Sequence, residues 1–262
     1  MDNSIKSVVY LLRDPGTFFE CVRRGKTARV LSAWLATASI VCLAVFGMVV
    51  GLAHSPWQAV SSAIKMPILV MGAGLLCLPA LYLFALVSGA RLGMTQVAAV
   101  VLSGVGVTAL LLMGLAPVIF IFVLTSHSYP FLQLLAVGSV ALSGCIGVYY
   151  LWRGMEWVNL FERASSGLRR GMMSAWFILY AFVGSQMAWR LSPFVGDPAQ
   201  PFVWLQPSRD NLYIDVIHAL EGATGFGLAG WMIQPVWVGV LCVIPLVLLI
   251  LGAGLAASSE EA

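Results

Sequence analysis

The sequence predicts an all-α, polytopic helical membrane protein with about six membrane-spanning helices and both termini cytoplasmic. Three observations predict it. Of 262 residues, 60% are hydrophobic and 10% charged, with a mean hydropathy of +0.95, whereas soluble domains carry about a quarter charged residues. Six charge-free runs approach the length a helix needs to cross the bilayer, which is about 20 residues for about 30 Å of hydrocarbon. The basic residues gather almost wholly on one side of those runs. Such a composition excludes a soluble enzyme, a disordered chain and a secreted disulfide scaffold. The net charge of +3, from 14 basic and 11 acidic side chains, is too small for nucleic-acid binding.

Residues 1–32 read as a cytoplasmic segment carrying an interfacial helix. Ile5, Val8, Val9 and Leu12 fall at helical spacing, and Asp14-Pro15-Gly16 ends the pattern. Phe18 and Phe19 are expected at the headgroup level. This segment is charged and has no compact apolar stretch before a small-residue cleavage site, so the first span is expected to be retained. Spans are expected over Ala33 to Ala53, Met66 to Ser88, Gln96 to Leu124 and Phe131 to Trp152. The third is long enough to tilt, and Pro117 should kink it.

Residues 153–171, RGMEWVNLFERASSGLRRG, form a cytoplasmic amphipathic loop. In it Met155, Val158, Leu160 and Phe161 oppose Glu156, Glu162 and Arg163. Arg153, Arg169 and Arg170 are candidates for contact with anionic lipid or a partner. The remainder, 172–262, holds two further spans, Met172 to Trp189 and Val236 to Leu255, flanking an outer loop over 190–218.

Eleven basic residues lie in the N-terminal segment, the second loop and the fourth loop, against Lys65, Arg190 and Arg209 on the other side. An excess of Lys and Arg marks the cytoplasmic side. Trp34, Trp152 and Trp157 near inner ends, with Trp57, Trp189 and Trp204 near outer ends, agree with the interfacial preference of tryptophan.

Few residues point to chemistry. Cys21, Cys42, Cys77, Cys145 and Cys242 have no C-x-x-C spacing, which makes them packing residues rather than redox or zinc ligands. His54, His127 and His218 all map to the outer side and are the weak candidates for a metal; their spacing favours capping or interfacial histidines. No hydrolase, zinc-protease or nucleotide-binding motif occurs, so no catalytic residue and no cofactor is assigned. Mid-span positions carry no charge, and Gln96, Gln133, Gln186 and Gln234 are the nearest polar groups, suited to interhelical hydrogen bonds. Gly47 and Gly51 form a G-x-x-x-G, and Gly72, Gly74, Gly104, Gly106, Gly138, Gly144 and Gly147 add small faces for close helix packing.

The outer loop is the most informative stretch. From Trp189 to His218 it reads WRLSPFVGDPAQPFVWLQPSRDNLYIDVIH, with prolines separating aromatics. It should be extended and stiff, then enter a short helix capped by Asp210. Trp189, Arg190, Pro193, Phe194, Gly196, Phe202 and Trp204 are its candidate partner-docking residues. The alternative is that the loop is a lid on its own bundle.

Two stretches, LLRDPGTFFECVRR and GARLGMTQVAAVV, resemble the Yip-domain family of multi-pass membrane proteins over roughly residues 7 to 150. The resemblance implies a four-helix membrane region over 33–152 and a scaffold or accessory role. The later stretches FVGSQMAWRLSPFVGDP and NLYIDVIHAL are similar to uncharacterised bacterial membrane proteins with a W-x-L-x-P-F-x-G-x-P loop; Ser192 stands where that loop would carry Arg. The expectation is a non-catalytic subunit, scaffold or assembly factor of a bacterial inner-membrane complex. Its expected partners are the lipid bilayer and other membrane subunits, with no nucleic acid and the oligomeric state open. The alternatives are a small-solute channel or permease, and an outer-face metal or cofactor site.

Overall fold

The computed structural model describes residues 16, 18–20, 28–87, 93–126, 128–157, 166–196, 202 and 204–205. Among the described residues the protein is all-helical, without a strand. Five helices follow in order: α1 (Ala28–Gly51), α2 (Pro56–Val87), α3 (Met94–Thr125), α4 (Tyr129–Trp157) and α5 (Ser166–Leu191). The first four contain stretches long and apolar enough to cross a membrane, and in α1 that stretch is Ser32–Gly51. Many of their apolar side chains face outward, Leu75 at 70% exposure among them. In water such faces would be a liability; against lipid they are the expected surface.

The third and fourth expected spans match α3 and α4 to within five residues at each end. The second begins ten residues before the expected Met66, so that Lys65 lies within α2 rather than ahead of it. A charge is tolerated there because the ammonium is covered by backbone carbonyls, as described below. Pro117 sits inside an uninterrupted α3. The expected 153–171 loop is shortened by its neighbours: Arg153 to Trp157 continue α4, and α5 begins at Ser166. The expected N-terminal interfacial helix before residue 16, the span Val236 to Leu255, and Gln234 lie outside the described residues.

α1 and α2 form a tight antiparallel hairpin. Ser55 caps α2, its Oγ accepting the Gln58 N–H at 3.2 Å, and Pro56 follows at the first helical position, where a missing N–H is harmless. The Gly47/Gly51 pair lets the two backbones touch: a Cβ on Gly51 would stand 2.5 Å from the Gln58 carbonyl oxygen. α3 packs against α1, α2 and α4, while α5 packs against α2. The α3–α4 crossing uses Gly104 and Gly147, where a Cβ on Gly147 would lie 2.7 Å from the Gly104 carbonyl. Thr108 bonds back to that same carbonyl at 3.0 Å. Such small-residue contacts supply close van der Waals packing where lipid removes the hydrophobic drive.

Two buried clusters fill the bundle. One, toward the end of the bundle where α4 finishes, joins Phe18, Phe19, Leu35, Leu81, Val97, Leu151, Trp176 and Phe177. Phe18 and Phe19 are therefore core residues, each 1% exposed, and not headgroup anchors. They meet edge to face at 5.2 Å. Glycine at 154 leaves room for the Phe19 ring against α4. In the same region the Trp176 Nε1–H donates to the Cys77 carbonyl at 2.8 Å, tying α5 to α2. The other cluster, toward the end where α1 gives way to α2, joins Leu43, Phe46, Met66, Leu112, Ile119 and Val195.

Candidate functional site

The end of the bundle that carries the α1–α2 turn also receives the chain leaving α5, and here polar side chains converge. Gln58, Ser62 and Lys65 are spaced i, i+4 and i+7 on α2, and all three are buried. That spacing places them on one helix face. All three donate to backbone carbonyls of the segment after α5. Gln58 Nε2 reaches the Pro193 oxygen at 2.8 Å and the Phe194 oxygen at 3.4 Å. Ser62 Oγ reaches the Phe194 oxygen at 2.6 Å. Lys65 Nζ donates to the Pro193 oxygen at 3.1 Å and also to the Trp204 carbonyl.

This arrangement solves two problems at once. Pro193 and Phe194 lie outside any helix, so their carbonyls have no intrahelical partner. Lys65 is 2% exposed and needs acceptors for its N–H groups. Bringing them together pairs both, with the Trp204 ring 5.8 Å from the ammonium as a further electrostatic partner. The Ser192–Pro193 peptide is cis. Gly196 completes the seat: a Cβ there would stand 2.6 Å from the His54 ring, whose Nδ1 lies 2.9 Å from Ser55 Oγ.

The chain from Ser192 to Gly196 is thus a strap pinned across α2. Beyond it, Phe202, Trp204 and Leu205 are 39%, 46% and 47% exposed. Trp189 is half-buried and Arg190 exposed, with the guanidinium 5.1 Å from the Trp189 ring centre. The seven loop residues singled out in the sequence therefore divide. Pro193, Phe194 and Gly196 serve the strap's own seat, Trp189 is half-buried, and Phe202 and Arg190 turn outward; Trp204 does both, its carbonyl accepting from Lys65 while its side chain stays largely exposed.

The remaining candidates are dispersed. Arg153 is held locally, 3.6 Å from Glu156 and 3.3 Å from the Tyr149 hydroxyl. Arg169 and Arg170 fall near the start of α5, and their side chains lie outside the described residues, as do His127 and His218. Among the described residues no three His, Cys, Asp or Glu side chains come together as a metal site. Gln96 caps its own helix, accepting the Gly93 N–H at 2.8 Å. Gln186 is exposed, and Gln133 lines a cleft between α4 and α5. Cys42, Cys77 and Cys145 are free thiols.

Sequence reasoning missed the α2 half of this site. Its signal was present: three polar side chains at helical spacing just ahead of an otherwise apolar run. Comparison with protein-family models, with curated proteins and with solved structures found no match for this chain.

Proposed function

We propose that the protein is a non-catalytic multi-pass subunit or assembly factor of a bacterial inner-membrane complex, with the strap end of the bundle on the outer face and both termini cytoplasmic. The observation that carries this reading is the strap. Its backbone is fixed by donors from Gln58, Ser62 and Lys65, while Phe202, Trp204 and Leu205 remain exposed beside it. Fixing a loop in advance lowers the ordering cost of binding, and exposed aromatic anchors are what interfaces use. The alternation of helices supports the orientation, since Lys65 and Arg190 share the strap end while Arg153 lies at the other. The resemblance of the first half to Yip-domain proteins fits the same reading.

A permease finds less support. The cleft between α4 and α5 is lined mainly by Gly, Ala, Val and Leu, with scattered hydroxyls and one glutamine, whereas solute conduction asks for a continuous polar path. The test is purification from native membranes in mild detergent, without overexpression, followed by mass spectrometry. A stoichiometric partner should be retained, and Phe202→Ala with Trp204→Ala should reduce its recovery about 30-fold, the effect of losing a hot spot worth ~2 kcal/mol. A chain that comes away alone, or a partner indifferent to both substitutions, contradicts the proposal.

A further inference from the structure

On the strap-facing side of α2 the donors outnumber the carbonyls they hold. An ammonium carries three N–H groups. Lys65 directs two of them at the Pro193 and Trp204 carbonyls, and the third has no acceptor among the described residues. Ser61, one turn before Lys65, is 0% exposed, and its Oγ has no hydrogen-bond partner. The other buried hydroxyls show how readily a helix pairs one. Ser39, Ser103, Thr108 and Ser139 each donate to the carbonyl three or four residues back, and Ser62 donates to the strap. Ser143 is the other exception, but it lies at the crossing with α3, a helix without a charged residue.

Side chains on a helix lean toward its N-terminus, so the Lys65 stem runs back over the turn that holds Ser61 and Ser62. Its ammonium shares the Pro193 oxygen with the Gln58 amide, two turns earlier, which holds the charge beside that turn. The spare N–H and the spare hydroxyl therefore belong to one patch. That patch is cationic and lacks a counter-charge among the described residues. Their carboxylates, Glu20 and Glu156, lie at the opposite end of the bundle, next to the Phe19 seat on α4 and beside Arg153. A buried charge without compensation is costly.

We propose that Lys65 and Ser61 hold a monovalent inorganic anion, chloride under ordinary conditions, between α2 and the strap. The donor set decides the class. One N–H and one O–H suit a monatomic anion, whereas phosphate or a carboxylate presents several oxygens and would compete for donors the strap carbonyls already hold. Water would pair Ser61 but leave the ammonium uncompensated. This site does not rest on the partner-docking role proposed for the exposed loop residues.

The test uses the full chain in nonionic detergent for melting and in zwitterionic nanodiscs for amide exchange. Sodium chloride, bromide, gluconate and sulfate are compared at one pH and matched ionic strength. Chloride and bromide should raise the melting temperature saturably and slow exchange of Ser192, Phe194, Val195 and Gly196 several-fold relative to the two larger anions. Lys65→Met should abolish the difference between salts. Ser61→Ala should need at least tenfold more chloride for the same rise. Without a ligand, removing an orphan hydroxyl would instead raise the melting temperature equally in every salt, so this variant carries the test should Lys65→Met fail to fold. Identical behaviour of the wild type in all four salts, or a halide response unchanged in Ser61→Ala, overturns the proposal. So does an equal loss of strap protection in every salt on Asp197→Asn, which would assign the counter-charge to the chain's own carboxylate.

Discussion

Replacing Lys65 by Met tests how the strap is held. The substitution keeps most of the apolar stem and removes the ammonium, and with it the bonds to the Pro193 and Trp204 carbonyls. A hydrogen bond to a charged group contributes about 1.5–3 kcal/mol, so losing both naively costs ~3–6 kcal/mol. Two features of the structure reduce that figure. Pro193 keeps its bond from Gln58 at 2.8 Å, and Trp204, at 46% exposure, can turn its carbonyl to water. The variant also no longer buries a charge, which recovers part of the desolvation penalty. The net expectation is a loss of ~2 kcal/mol, or about 30-fold more frequent opening of the strap. Amide hydrogen exchange of Ser192, Phe194, Val195 and Gly196 in nanodiscs reads it directly, with the α3 interior as internal reference. Faster exchange confined to the strap supports the reasoning. Strap exchange within threefold of wild type in Lys65→Met would refute it, because the carbonyl contacts would then carry no load.

Three further outcomes follow from the packing and the orientation. Gly51→Ala puts a methyl 2.5 Å from the Gln58 carbonyl oxygen and should destabilise the bundle by about 2 kcal/mol or more, seen as a lower melting temperature in detergent; Gly114→Ala, which meets open space, should not. Trp176→Phe leaves the buried Cys77 carbonyl without its 2.8 Å donor and should cost ~1–3 kcal/mol in the same assay. A cysteine at exposed Ser128 should react with an impermeant maleimide in intact spheroplasts, and one at exposed Trp157 only after permeabilisation; the reverse pattern would invert the proposed orientation.

Much of the helical layout was legible because charge-free length is a direct physical requirement for crossing hydrocarbon. Gly47 and Gly51 were legible too, since only small residues let helix backbones touch. The start of α2 was not, because a length rule stops at a charge, and what makes Lys65 tolerable is a pair of carbonyls about 130 residues away in sequence. Phe18 and Phe19 were misplaced for a related reason. Two aromatics after a Pro-Gly break look interfacial, and only the gap left by Gly154 shows that the Phe19 ring has a seat in the core. The loop was recognised as specific structure from its prolines and aromatics. Its division into pinned backbone and exposed side chains depends on Gln58, Ser62 and Lys65, whose common face becomes meaningful once the carbonyls opposite are known.

The proposed partner role rests on a strap fixed on its own helix with Phe202 and Trp204 exposed beside it. Its most direct test is a photoreactive amino acid placed at Phe202 in the living cell, with the products resolved by mass and identified. The account predicts one dominant adduct to a second membrane protein, reduced when Lys65→Met loosens the strap. Adducts to lipid alone, or to this chain itself, would contradict it.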